Sequence, residues 1–238
     1  AGAGRKRGRV MALHDVKEIL DELERLYGNE ARPASDFCYE EPLDDLILTI
    51  LSQNTNDKLR DKAFANMKAR YSSWEEVAHA DIEELKAVLR IAGMSGTKPP
   101  RIQQILAAVK DKFGVYSIKE LRGWTQPDVR AYLTSLPGVG PKTSAIVECF
   151  DLDLPGFPVD THITRLSKRF GWAAEKLPPD KIQEILEAEL PKERFRGGHL
   201  NFLEHGRGIC NARKPRCGEC TMIRWCPFGR KEHEGISD

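Results

Sequence analysis

No stretch of this 238-residue chain is apolar for long enough to span a bilayer, and no apolar signal segment is visible. Neither a membrane partner nor secretion is therefore expected. Sustained two-residue alternation is also missing, so strands should be few or absent. An excess of one charge is missing too: 37 Lys and Arg stand against 36 Asp and Glu, leaving a formal net charge of +1. Such a chain is no polycation that coats nucleic acid wholesale, and any binding of that kind must come from local patches. No low-complexity linker divides it.

What is present reads as helix almost throughout, and the expected fold class is all-α. Leu13, Val16, Ile19, Leu20, Leu23 and Leu26 form one apolar stripe, stopped by Gly28. Residues 43–51 are apolar on more than one side, which predicts a central, buried helix. Asn56 or Asp57 can cap the next helix. Asp81 with Glu84, Ser117 with Glu120, and Asp180 with Gln183 have capping-box spacing. A helix over 97–113 would carry Pro99 and Pro100 in its first turn, where missing N–H groups cost little. Of two basic clusters, Arg5 to Arg9 reads as a disordered tail or cloning remnant. The other comprises Arg207, Arg213, Lys214 and Arg216.

Three segments carry chemistry. The first is Leu136-Pro137-Gly138-Val139-Gly140-Pro141-Lys142-Thr143, placed between predicted helices over 126–135 and 141–150. Gly138 and Gly140 around Val139 permit a left-handed turn and close approach of a phosphate to the backbone. The second helix would aim its free N–H groups at that phosphate and so bind DNA backbone without reading sequence. An ordinary corner between two helices is the alternative. Lys142 lies just inside that helix, where a cation is disfavoured and an amine is easier to deprotonate. A neutral amine there is a nucleophile for a sugar C1′. The plainer role is a solvated lysine touching a phosphate.

In the second segment, Val159-Asp160-Thr161-His162, Asp160 reads first as an N-cap. Capping occupies one oxygen and leaves the other to stabilise a cationic sugar and relay protons, so the two roles are compatible. The third segment is Cys210, Cys217, Cys220 and Cys226, a C-x6-C-x2-C-x5-C run. Disulfides are disfavoured, since nothing else suggests secretion and Cys38 and Cys149 sit singly and read as reduced. Zinc usually takes two close doublets, and only Cys217 with Cys220 forms one. An iron–sulfur cube tolerates unequal spacings in one loop. Spacing alone leaves zinc and iron–sulfur both open.

Taken together, L-P-G-V-G-P-K-T at 136–143, V-D-T-H at 159–162 and H-G-R-G-I-C-N-A-R-K-P-R-C-G-E-C at 205–220 resemble the endonuclease III family of helix–hairpin–helix DNA glycosylases and AP lyases. The likeness runs from Leu13 to Cys226. It implies a helical-barrel domain over 42–153 that contains the helix–hairpin–helix. It also implies a discontinuous domain, 13–41 with 154–230, that holds a [4Fe-4S] cluster on the four cysteines. Residues 1–12 would be the disordered tail. Lys142 becomes the Schiff-base nucleophile and Asp160 the essential carboxylate. The implied partner is double-stranded DNA with damaged bases or abasic sites, bound by a monomer that is cytoplasmic and nucleoid-associated if the source is prokaryotic.

The family inserts wedges into the duplex as it extrudes a nucleotide. Gln53 and Asn54 resemble the first wedge. In the second, the family's leucine followed by Tyr-Asn-Ser-Lys-Ala is replaced by Met94-Ser95-Gly96-Thr97-Lys98-Pro99. Met94 is apolar enough to intercalate but more flexible. Gly138, Val139, Gly140, Arg213 and Lys214 would contact the DNA backbone. The expected activity is removal of oxidised pyrimidines followed by strand nicking through β-elimination. Two alternatives are a monofunctional mismatch or adenine-type glycosylase, which would lack the lysine, and a non-catalytic DNA-binding module. Lys142 argues against the first, and the joint presence of Lys142 and Asp160 against the second.

Overall fold

The structure, a computed structural model, describes residues 13–90 and 96–234. The basic tail and Met94 lie outside the described residues. Within them there are twelve α-helices and no strand. The helices group into two compact units. One holds the described residues of Ala1–Arg32 and Val159–Asp238, and the other is Pro33–Pro158.

The continuous unit, Pro33–Pro158, is organised by α2 (Pro42–Ser52). Leu43, Leu46, Ile47, Ile50 and Leu51 of α2 are all fully buried, each worth about 1.5–3 kcal/mol of hydrophobic stabilisation. Around α2 lie α3 (Asp57–Arg70), α6 (Lys98–Phe113) and α8 (Pro141–Phe150); α4 (Trp74–His79), α5 (Ile82–Leu89) and α7 (Gln126–Ser135) pack on these. Asn56 caps α3 through Leu59 N at 2.9 Å, and Asp81 caps α5 through Glu83 N and Glu84 N. Ser117 caps no α-helix. It precedes a 3-10 turn over Lys119–Gly123, and its hydroxyl donates to Glu41 at 2.7 Å.

The sequence expectation began this unit at 42 and ended it at 153, whereas the structure extends it at both ends. Hydrogen bonds made outside the helices explain the shift. Tyr39 N donates to Asp151 Oδ1 at 2.8 Å, and Arg122 donates to the carbonyls of Tyr39 and Glu40 at 3.1 and 3.2 Å. Downstream, Leu154 N donates to Glu148 O at 2.8 Å. None of these pairings leaves a periodic signature.

Asp45 and Asp151 meet in this anchor, both buried. Burial raises both carboxyls above the ordinary range, and the Asp45 charge pushes Asp151 further, to about 9. The pair therefore shares a proton at neutral pH. In the unfolded chain both carboxyls ionise above about pH 4. The folded chain binds more protons between that pH and about 9, so the pair's contribution is full below pH 4 and falls as pH rises. Asp151→Asn keeps the acceptor for Tyr39 N and supplies a permanent donor to Asp45. Its melting temperature at pH 8 should exceed the parent's by several degrees, about 2–4 °C per kcal/mol recovered. The gap should close toward pH 4 in a thermal-melt series; a constant gap would refute the shared proton.

The discontinuous unit contains α1 (Val16–Tyr27), α9 (Thr161–Arg169), α10 (Pro179–Glu189), α11 (Phe195–Gly208) and α12 (Pro227–Glu234). Ile19, Leu20 and Leu23 of α1 are buried, while Leu26 of the expected stripe is 38% exposed. Gly28 ends α1 at φ 69°, a left-handed conformation natural to glycine. Asp180 lies inside the first turn of α10 rather than at its cap, and Gln183 donates to Glu187 instead. α11 packs on both α1 and α9. At the α9 contact, a Cβ on Gly206 would sit 2.8 Å from His162 Cβ, so only glycine lets the helices approach this closely.

Candidate active site

In the continuous unit, α7 and α8 form the expected helix–hairpin–helix with the predicted bounds. Gly138 adopts φ 75° and Gly140 is the extended N-cap of α8. Val139 N donates to Leu136 O at 3.1 Å, closing the turn. Val139 itself is buried. Pro141 occupies the first helical position, where its missing N–H costs nothing. Lys142 follows, exposed in the first turn of α8.

A buried carboxylate binds the two helices to each other. Glu148 of α8 is fully buried. It accepts from Arg130 Nε and Nη2 at 3.0 and 2.7 Å, from Gln126 Nε2 at 2.7 Å and from Ser144 Oγ at 2.5 Å. A bidentate arginine and two further donors satisfy the charge that burial would otherwise make costly.

The hairpin is also tied to the loop after α2. Gln53 Nε2 donates to Gly138 O at 3.0 Å, and Arg101 Nη1 donates to Gln53 Oε1 at 3.2 Å. Arg101 lies so close over Gly138 that a Cβ there would collide with it. Gln53 is therefore engaged within its own unit, and insertion into a duplex would exchange two hydrogen bonds. Asn54 beside it is exposed, with φ 55°. Sequence reading missed Arg101, whose partners lie 48 and 37 positions away along the chain.

In the discontinuous unit, Asp160 caps α9: its Oδ1 accepts from Ile163 N at 2.8 Å. Oδ2 has no hydrogen-bond partner among the described residues. Lys142 and Asp160 thus belong to different units, each at the first turn of a helix.

Cys210, Cys217, Cys220 and Cys226 line one cavity, with Leu166, Ile209 and Ile223 among its apolar walls. Among the described residues no three His, Cys, Asp or Glu side chains converge on one ion position. A cube takes its four thiolates at separate corners, and four thiols around one apolar cavity suit that donor set. Burial raises the Cys217 and Cys226 thiols and pushes Cys220 up to about 11. Thiolates at these three positions would need the positive charge of a bound metal.

Two arginines of α9 hold this loop, and sequence reading missed both. Arg165 Nε donates to Cys210 O at 2.9 Å and its Nη2 to Gly206 O at 2.8 Å. Arg169 Nη1 reaches Asn211 O at 2.8 Å and Cys210 Sγ at 3.0 Å. Arg213 and Lys214 are exposed on the same loop, Lys214 at φ 52°, and Arg216, exposed as well, donates to Gly208 O and pairs with Glu219.

Comparison with known proteins agrees with this architecture. Residues 47–192 match the HhH-GPD superfamily base excision DNA repair protein family. Endonuclease III of Thermotoga maritima is 33% identical over 195 residues, covering 82% of this chain and 87% of that protein. Endonuclease III of Escherichia coli K12 is 29% identical over 212 residues, covering 89% and 96%. A solved non-covalent endonuclease III–DNA complex superposes with a TM-score of 0.80 at 27% identity, covering 94% of this chain and 99% of that one. The hairpin, the capped carboxylate and these likenesses place the chain in the HhH-GPD superfamily of base excision DNA repair proteins, within the endonuclease III family.

Proposed function

We propose that this base excision repair DNA glycosylase is bifunctional, removing oxidised pyrimidines from duplex DNA and then nicking the strand as an AP lyase. The observation that carries this reading is Lys142, an exposed amine in the first turn of α8 directly after a glycine hairpin suited to a phosphate. Its neutral amine attacks C1′ as the C1′–N bond to the base breaks and the base leaves with a proton. Loss of the amine proton and opening of the sugar ring give an imine. Abstraction of a C2′ proton then expels the 3′-linked phosphate by β-elimination, and water later releases Lys142. Asp160, with Oδ2 free of the cap, stabilises positive charge on the sugar and shuttles protons.

Duplexes that each carry one defined lesion test the reading: oxidised pyrimidines should be excised and the strand cut in the same reaction. Base release without nicking would show the monofunctional chemistry instead. DNA backbone is held by Gly138, Val139 and Gly140, with Arg213 and Lys214 adding phosphate contacts, while Gln53, Asn54 and Met94 serve the emptied stack.

Cys210, Cys217, Cys220 and Cys226 would hold a [4Fe-4S] cluster, tying the basic loop between the end of α11 and the start of α12. The purified protein should be yellow-brown with about four irons per chain. Colourless protein holding one zinc per chain would overturn this assignment, and metal analysis decides it.

A further inference from the structure

A second cleft in the discontinuous unit plays no part in the chemistry described above. It lies along α9 and α12 and is lined by Thr161, Thr164, Arg165, Lys168, Arg169 and Lys231, with Glu175 its single carboxylate. The cleft therefore carries a formal +3 (four cations less Glu175), in a chain whose total is +1. Lys168 and Lys231 make no ion pair among the described residues. Arg165 and Arg169 spend donors on loop carbonyls, which fixes their charges in place at the wall. Thr164 Oγ1 is buried without a hydrogen-bond partner. A cation in the last turn of α9 complements the helix dipole, which accounts for Lys168 alone. It accounts neither for Lys231 on a separate helix nor for the unpartnered hydroxyl.

Unpaired cations beside a buried, unpartnered hydroxyl match a phosphate-class anion. The position of the cleft identifies its source. Thr161, at its edge, directly follows Asp160, and Lys168 lies seven residues along α9, about 10 Å at 1.5 Å per residue. One strand of duplex DNA advances about 3.4 Å per nucleotide, so that length is about three nucleotides. We propose that this cleft seats a backbone phosphate of the damaged strand about three nucleotides from the lesion, with Lys168 and Lys231 as its principal charges. The assignment rests on the function proposed above, since it takes Asp160 to face the extruded nucleotide.

The test is binding to a duplex carrying a non-cleavable abasic analogue, measured across salt concentrations. Lys168→Ala/Lys231→Ala should lower the slope of log affinity against log salt by about 0.9 for the lost phosphate contact. Glu175→Gln should tighten binding. Methylphosphonates, placed one at a time along the strand, should weaken the parent at a position about three nucleotides from the lesion and leave the double variant unaffected there. An unchanged slope, or equal losses in parent and variant at every position, overturns the cleft while leaving the glycosylase reading intact. A parent that binds no duplex overturns both. Inorganic phosphate competing equally with parent and variant would likewise count against a site built from these lysines.

Discussion

Lys142→Gln is expected to abolish strand nicking and, with it, the covalent protein–DNA adduct that borohydride traps during turnover. Lys142 is an exposed amine in the first turn of α8, so glutamine keeps most of its length without disturbing the Glu148 network behind it. The hairpin glycines, proposed to contact phosphate through backbone, are untouched. Binding to an abasic-analogue duplex should therefore survive while nicking falls below about a thousandth of the parent rate, a loss of roughly 4 kcal/mol in transition-state stabilisation. Gel analysis of borohydride-treated reactions provides the check. A normal rate of adduct formation in the variant would mean that another amine is the nucleophile.

Asp160→Asn should separate the two chemical steps. Asparagine retains an oxygen to accept from Ile163 N, so α9 keeps its cap, but the negative charge is gone. Base excision should drop by about two orders of magnitude or more, the size expected for a lost electrostatic stabiliser. Nicking of a ready-made abasic site should suffer far less, because the glycosidic bond is already broken. Single-turnover rates on the two substrates provide the comparison. Equal losses would indicate that Asp160 acts only through the fold of α9.

Features confined to short stretches of sequence were the most readable. The bounds of α7 and α8 follow from Pro and Gly punctuation around 136–141, and Gly28 and Asn56 mark helix ends through chemistry within one turn. The hairpin, Lys142, Asp160 and the four cysteines could be picked out for the same reason: each is a residue type at a fixed local spacing. Arg101 over Gly138, Arg165 and Arg169 on the cysteine loop, and Asp45 against Asp151 could not be, because their partners lie dozens of positions away. Segment 33–41 shows why the unit boundary shifted. It has no hydrophobic period, and its place is set by Tyr39 and Arg122 through backbone groups that every residue carries.

The Glu148 network also constrains how this protein can change over generations. Arg130 compensates the fully buried charge of Glu148, and Ser144 and Gln126 donate to the same carboxylate. A substitution at position 148 removes the carboxylate that Arg130, Gln126 and Ser144 share, and one at position 130 takes the bidentate cation from a fully buried carboxylate. Each one-step path between this arrangement and an apolar one crosses a destabilised intermediate. Lineages that vary here should therefore do so at both positions together, so the helix–hairpin–helix is inherited as a unit rather than as two helices drifting independently.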